Sequence, residues 1–171
     1  MKNIILIVLV LYPLTLTVQN SKKAEFSLGG NFSFPISDEA GDIYLIGGSA
    51  GLGYIISPLV VLGGSFNYYS VIHKNDSPEN VSSLVGISAN IKTALLSSQN
   101  SFNPNLKFQL GFFIPFSGSG IYSIFPEIGG SIGTEFLMDR NTFLFIDAGC
   151  FWMMPDDVLI FLGRVGFNFH I

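Results

Sequence analysis

The sequence predicts an all-β fold, an eight-stranded antiparallel up-and-down transmembrane β-barrel, and three observations carry that prediction. Apolar residues alternate with small or polar ones from Ala24 to the C-terminus, in eight successive runs. The large residues of each run share one face, while glycine, serine, asparagine and a few charges share the other. Hydrophobic residues make up 49% of the 171 and charged residues only 12%, with a mean hydropathy of +0.51. Yet the longest apolar run, Ile4 to Val18, is shorter than the roughly 18 residues that a helical span requires. Disorder is excluded by so much apolar content and so little charge. A net charge of −4 argues against a nucleic-acid partner. The single cysteine, Cys150, allows no internal disulfide.

The first segment reads as an export signal. Met1-Lys2-Asn3 is a short basic start, Ile4 to Val18 is apolar around Pro13, and Gln19 to Lys23 is polar. Thr15 and Thr17 are the small residues of a cleavage site, which places a signal peptide at 1–17 and a short lead-in at 18–23. The alternative is an uncleaved N-terminal anchor, which the central proline and short length oppose.

The eight strands follow in order. Phe26, Leu28, Phe32 and Phe34 form the apolar face of the first; Tyr44, Ile46, Leu52, Tyr54 and Ile56 that of the second; Val60, Leu62, Phe66 and Tyr68 that of the third. Val85, Ile87 and Ile91 mark the fourth, and Leu106, Phe108, Leu110, Phe112, Ile114 and Phe116 the fifth. Ile124, Ile128, Ile132 and Phe136 mark the sixth. Leu144, Ile146, Cys150 and Trp152 mark the seventh, blurred by Phe143 and Phe145; Leu159, Phe161, Val165, Phe167 and Phe169 close the series. Turn chemistry separates them, at Ser37 to Asp42, Ser57-Pro58, Asn75 to Pro78, Ser117 to Gly120, Asp139 to Asn141 and Pro155 to Asp157. Asn100 to Pro104 ends a longer connection, and Pro115 and Pro126 fall near strand rims.

Small residues cannot fill a soluble core, but they suit the narrow lumen of an eight-stranded barrel whose outer wall meets lipid. A closed barrel also satisfies every backbone donor and acceptor inside a bilayer. By parity Glu25, Lys92, Lys107, Glu127, Glu135, Asp147 and Arg164 face the lumen, four acids against three bases. Salt bridges are expected there, Asp147 with Arg164 first among them. On the lipid face each basic residue would instead cost about 2–4 kcal/mol at mid-depth. Aromatic residues gather toward both ends of the apolar face. Phe34, Tyr44, Tyr68, Phe116, Tyr122 and Trp152 belong to one rim, and Phe26, Tyr54, Phe108, Phe136, Phe167 and Phe169 to the other, as girdles at two membrane interfaces would require.

The blocks Ser27-Leu28-Gly29-Gly30-Asn31-Phe32, Gly47 to Tyr54 and Gly63 to Tyr69, with the ending Gly166 to Ile171, resemble the small bacterial outer-membrane β-barrel domains of OmpA/OmpX or porin-family type. The resemblance covers 24–171. It implies the Gram-negative outer membrane, periplasmic termini, and outer connections near 37–42, 71–80, 117–121 and 153–157. It also implies contact with lipid and lipopolysaccharide, and passing contact with periplasmic chaperones and the barrel-assembly machinery. The family commonly ends in an aromatic residue, whereas this chain ends in Ile171 with Phe169 two before it.

Several motifs invite a chemical reading. Gly47 to Gly51 and Gly129 to Gly133 both match the G-x-S-x-G nucleophile elbow, but each is followed by more strand where that motif needs a turn into a helix. The glycine-rich stretch 47–53 lacks the lysine and helix of a phosphate loop. His73 and His170 are the only histidines, with no ligand spacing between them, so no metal or cofactor is implied. The acidic outer connections, with Asp38, Glu39, Asp42, Asp76, Glu79, Asp156 and Asp157 against Lys74, read as solvated loops or as a cation-bridged contact to lipopolysaccharide.

The functional expectation is a non-catalytic envelope barrel whose lumen is plugged by its own side chains. One alternative is a narrow conduit or binding site for small apolar solutes, which Phe113, Phe143 and Phe145 turned inward would favour. Another is a lipid-modifying enzyme using Ser70 and His73. A third is a soluble ligand-binding barrel, which would need the alternation inverted.

Overall fold

The computed structural model describes residues 24–36, 43–73, 82–96, 101–117, 120–121, 124–154 and 158–171. The proposed signal peptide, its cut site, the 18–23 lead-in, the acidic residues of the outer connections and Tyr122 lie outside the described residues.

The described residues form β1 (Ala24–Pro35), β2 (Ile43–Ser57), β3 (Val60–His73), β4 (Ser83–Ala94), β5 (Phe102–Ser117), β6 (Gly120–Ile121), β7 (Phe125–Asp139), β8 (Thr142–Met153) and β9 (Val158–His170). The two-residue β6 pairs only with the last residues of β5, so the wall consists of eight long strands. Each pairs antiparallel with its neighbour in the chain, and β1 with β9 closes the ring. The long strands run from 12 to 16 residues, more than the roughly 9–11 that a tilted strand needs to cross a bilayer.

Prolines lie in or at the ends of these strands, and the ladder shows why they are tolerated. In an antiparallel pair a residue's N–H and C=O point to the same neighbour. The Pro104 carbonyl accepts from Leu95, one residue beyond the end of β4, and the Pro126 carbonyl accepts from Met154, one beyond the end of β8. Pro115 lies between the last β5–β7 pair, Phe113 with Phe125, and the β5–β6 pair of Phe116 with Ile121. For Pro104 and Pro126 the missing donor therefore falls at a ladder end. Pro104, expected in a connection, is instead the third residue of β5.

The wall separates two environments. Outward residues such as Leu52 (65% exposed), Leu110 (61%) and Ile132 (61%) form a continuous apolar exterior, far more than the exposed patch a soluble monomer carries. Inward residues are buried or half-buried, and their buried polar members include Asn31, Asn67, Ser88, Gln109 and Asn168.

One expectation needs correction. Alternation alone implies large apolar side chains outside and small or hydrophilic ones throughout the lumen. The lumen is instead divided along its length. Leu45, Tyr69, Leu84, Phe113, Phe151, Met153, Ile160 and Leu162 pack into one apolar cluster inside it. These residues lie toward the end where β1 leads into β2 and β8 into β9. We call this the loop end, and the opposite one, with the short connections β2–β3 and β7–β8, the turn end. The reason is volume: a gap-free interior needs large side chains wherever facing residues are not charged.

Candidate functional site

The candidate site is the lumen, built from inward positions on every long strand. At the turn end Lys92 on β4 reaches across to two carboxylates. Its Nζ lies 2.5 Å from Glu25 Oε2 on β1 and 2.6 Å from Glu135 Oε1 on β7. Asn168 Nδ2 on β9 donates to the same Glu135 oxygen, and His170 Nε2 lies 3.2 Å from Glu25 Oε2. The His170 ring also packs on Phe143, with centroids 4.5 Å apart. The reach of Lys92 follows from register, since its direct neighbour on β5 is Lys107 and like charges directly opposite repel.

Halfway along, Arg164 on β9 donates through Nη2 to Asp147 Oδ2 on β8 and to Ser131 Oγ on β7, each at 2.9 Å. Arg164 and Asp147 are direct partners in the β8–β9 register, so the pair is local and Lys92 is the long-range tie. Beside them Ser49 donates to Asn31, Asn31 to Asn67, and Ser65 bonds with Ser88. Further toward the loop end, Gln109 Nε2 donates to Glu127 Oε1 at 3.4 Å, a long bond, while Glu127 Oε2 has no partner. Ser33 Oγ and Arg164 Nε are also buried without partners. Lys107 is half-buried in the lumen.

Above this polar half lies the apolar cluster. Phe113 is the hinge of it, with ring centroids 5.9 Å from Tyr69 and 5.1 Å from Phe151. Small inward residues make the space. A Cβ on Gly86 would stand 2.7 Å from the Phe113 ring, and on Gly29 or Gly166 it would stand 2.8 Å from the Phe145 ring. Phe113, Phe143 and Phe145 all point inward and are buried. Two small cavities remain in the polar half, of about 40 and 30 Å³, room for a few waters each.

All seven lumen charges read from parity stand on inward positions, and the structure joins five of them into two ion-paired groups. Glu127 and Lys107 stand outside those groups. On the exterior, Phe34, Tyr44, Tyr68 and Trp152 stand exposed toward the loop end, with Phe116 half-buried beside them. Tyr54, Phe136, Phe167 and Phe169 stand toward the turn end, where Phe169 stacks on Phe26 and Phe136 meets Phe102. Phe108 stands further inside its strand than these, on the β5–β7 rung with Gly130.

Ser49 and Ser131, the serines of the G-x-S-x-G matches, are lumen residues within strands, bonded to Asn31 and Arg164. Ser70 faces outward, and the His73 side chain lies outside the described residues. Among the described residues no group of three or more His, Cys, Asp and Glu side chains is arranged to hold a metal.

No protein-family model and no curated protein sequence matches this chain. Solved structures do. Neisserial surface protein A is 12% identical with a TM-score of 0.66, over 89% of this chain and 98% of that one. The outer membrane protein OprG from Pseudomonas aeruginosa is 10% identical with a TM-score of 0.57, over 90% of this chain and 99% of that one. The fold is that of the small outer-membrane barrels. A barrel from the de novo design of transmembrane β-barrels matches as fully, with 12% identity and a TM-score of 0.53 over 90% of this chain and 100% of the design. The likeness is thus to an architecture, and any activity has to be argued from the lumen and the wall.

Proposed function

We propose that this protein is an integral barrel of the bacterial outer membrane with a lumen closed by its own side chains, acting in the envelope without catalysis. The observation that carries the reading is the pair of obstructions in series. Lys92 ties β4 to β1 and β7 across the turn end, and Phe113 with Tyr69 and Phe151 fills the loop end. The apolar exterior fits lipid, and lipid and lipopolysaccharide are the partners this reading assigns, with chaperones and the assembly machinery as passing ones.

Two measurements test it. Heat-dependent mobility of the membrane fraction on gels reports a detergent-resistant closed barrel; an unshifted band would remove the membrane reading. Single-channel recording in planar bilayers is expected to show no steady conductance, and a stable open level would defeat the closed lumen. The apolar loop-end half favours a second reading, a binding site for small apolar solutes. Saturable uptake of a fluorescent aromatic probe by vesicles carrying the protein would favour it over the closed one.

A further inference from the structure

Of the seven lumen charges, six stand together around the smaller cavity: the carboxylates Glu25, Glu135 and Asp147 with the cations Lys92, Lys107 and Arg164. These balance three against three. Glu127 is the remaining carboxylate, and it belongs to neither ion-paired group. It is 2% exposed. Among the described residues its Oε1 accepts one long bond, from Gln109, and its Oε2 accepts none. Neither of the two cavities is lined by it.

The surroundings of Glu127 are those of the apolar half. It shares its rung with Met153 on β8 and Gly111 on β5, and the inward rungs on either side hold Phe113 with Phe125 and Gly129 with Phe151. At this end β1, β2 and β4 present Ser33, Leu45 and Leu84, none of which titrates. The titratable groups within electrostatic reach are Tyr69 on β3 and Arg164 on β9. Tyr69 packs on Phe113, and Arg164 already donates to Asp147 and Ser131. A bare carboxylate in such a place is far more costly than a neutral acid. With neither cavity beside it, the cation that fits Glu127 is one without volume.

We propose that Glu127 is a proton-binding site, which takes a proton from solvent as the barrel closes, holds it as a neutral carboxylic acid at neutral pH, and so keeps the loop-end half dry. With Glu127 neutral, the balanced set around the cavity is the whole of the lumen charge. Loss of the proton to hydroxide places a charge among Met153, Phe113 and Phe125, and water has to enter the apolar cluster to solvate it. The loop-end plug is thereby tied to one proton. This goes beyond the envelope reading and holds whether or not the lumen conducts.

The test uses the whole barrel in detergent. Its infrared spectrum at neutral pH is expected to show the carbonyl band of a protonated carboxylic acid, and Glu127→Gln is expected to lose that band. No band in the native protein, as an ionised Glu127 turned to Arg164 would give, overturns the site; so does a band that survives in Glu127→Gln. If Glu127→Gln does not fold, carbon-13 in the glutamate carboxyls decides, since the native band must then shift and an unshifted one belongs to an aspartate. The second measurement reads the plug. At a pH high enough to abolish the band, amides of β5 and β7 beside Glu127 are expected to exchange faster in the native protein than in Glu127→Gln at the same pH. Equal rates there would overturn the tie between proton and plug.

Discussion

At the residue scale, inward and outward glycines do different work. Gly47 points into the lumen, where a Cβ would collide with the Tyr68 carbonyl and stand 2.8 Å from Tyr69 Cα. Gly30 points outward, and the nearest atom to its Cβ position is 4.0 Å away. Gly47→Ala is therefore expected to lower stability by about 1–3 kcal/mol, and Gly30→Ala to change it by less than about 0.5 kcal/mol. Urea unfolding followed by the fluorescence of Trp152, the single tryptophan, checks both. The Arg164–Asp147 pair gives a second case. Both are over nine-tenths buried, so Arg164→Met strands a carboxylate and is expected to cost about 3–5 kcal/mol. Adding Asp147→Asn removes the stranded charge and is expected to recover much of that loss. A double variant no more stable than Arg164→Met would show that the ion pair is not the source of the effect.

At the element scale, what the alternation made legible and what it hid have one cause. A period of two reports which residues share a face, and among the described residues it located the eight long strands and the inward positions of the seven charges named above. It is silent where both faces are apolar. Tyr44-Leu45-Ile46, Phe112-Phe113-Ile114 and Leu159-Ile160-Phe161-Leu162 are such runs, and their inward members Leu45, Phe113, Ile160 and Leu162 belong to the apolar cluster. The break in alternation was the available signal for that cluster. The long reach of Lys92 was also hidden, because register puts Lys107 opposite it and only the closed ring brings β1 and β7 within range. Ladder ends were hidden too, which is why Pro104 read as loop. A test of the wall belongs at this scale. Leu110, outward and midway along β5, is 61% exposed; Leu110→Arg is expected to cost about 2–4 kcal/mol in a bilayer. The same change in a soluble barrel would remove an exposed apolar group and be harmless, so an unaffected midpoint in lipid vesicles would place the wall in water.

At the scale of the whole molecule, the division of the lumen into a polar half and an apolar half makes it a stack of two barriers, and barriers in series fail only together. The apolar half blocks by volume: removing Phe113 and Phe151, each 1% exposed, opens space that water can enter once the cavity is large enough. The polar half blocks by charge, with one lysine holding carboxylates from two other strands. A Phe113→Ala, Phe151→Ala variant should therefore remain electrically silent in planar bilayers while losing stability, since each truncation costs about 3–5 kcal/mol. Adding Lys92→Ala removes the second barrier and leaves Glu25 and Glu135 facing the path, so the triple variant is expected to pass current and to prefer cations. Steady conductance from the double variant alone would mean that the ion-paired half is already permeable, and the closed lumen would then rest on the aromatic residues by themselves.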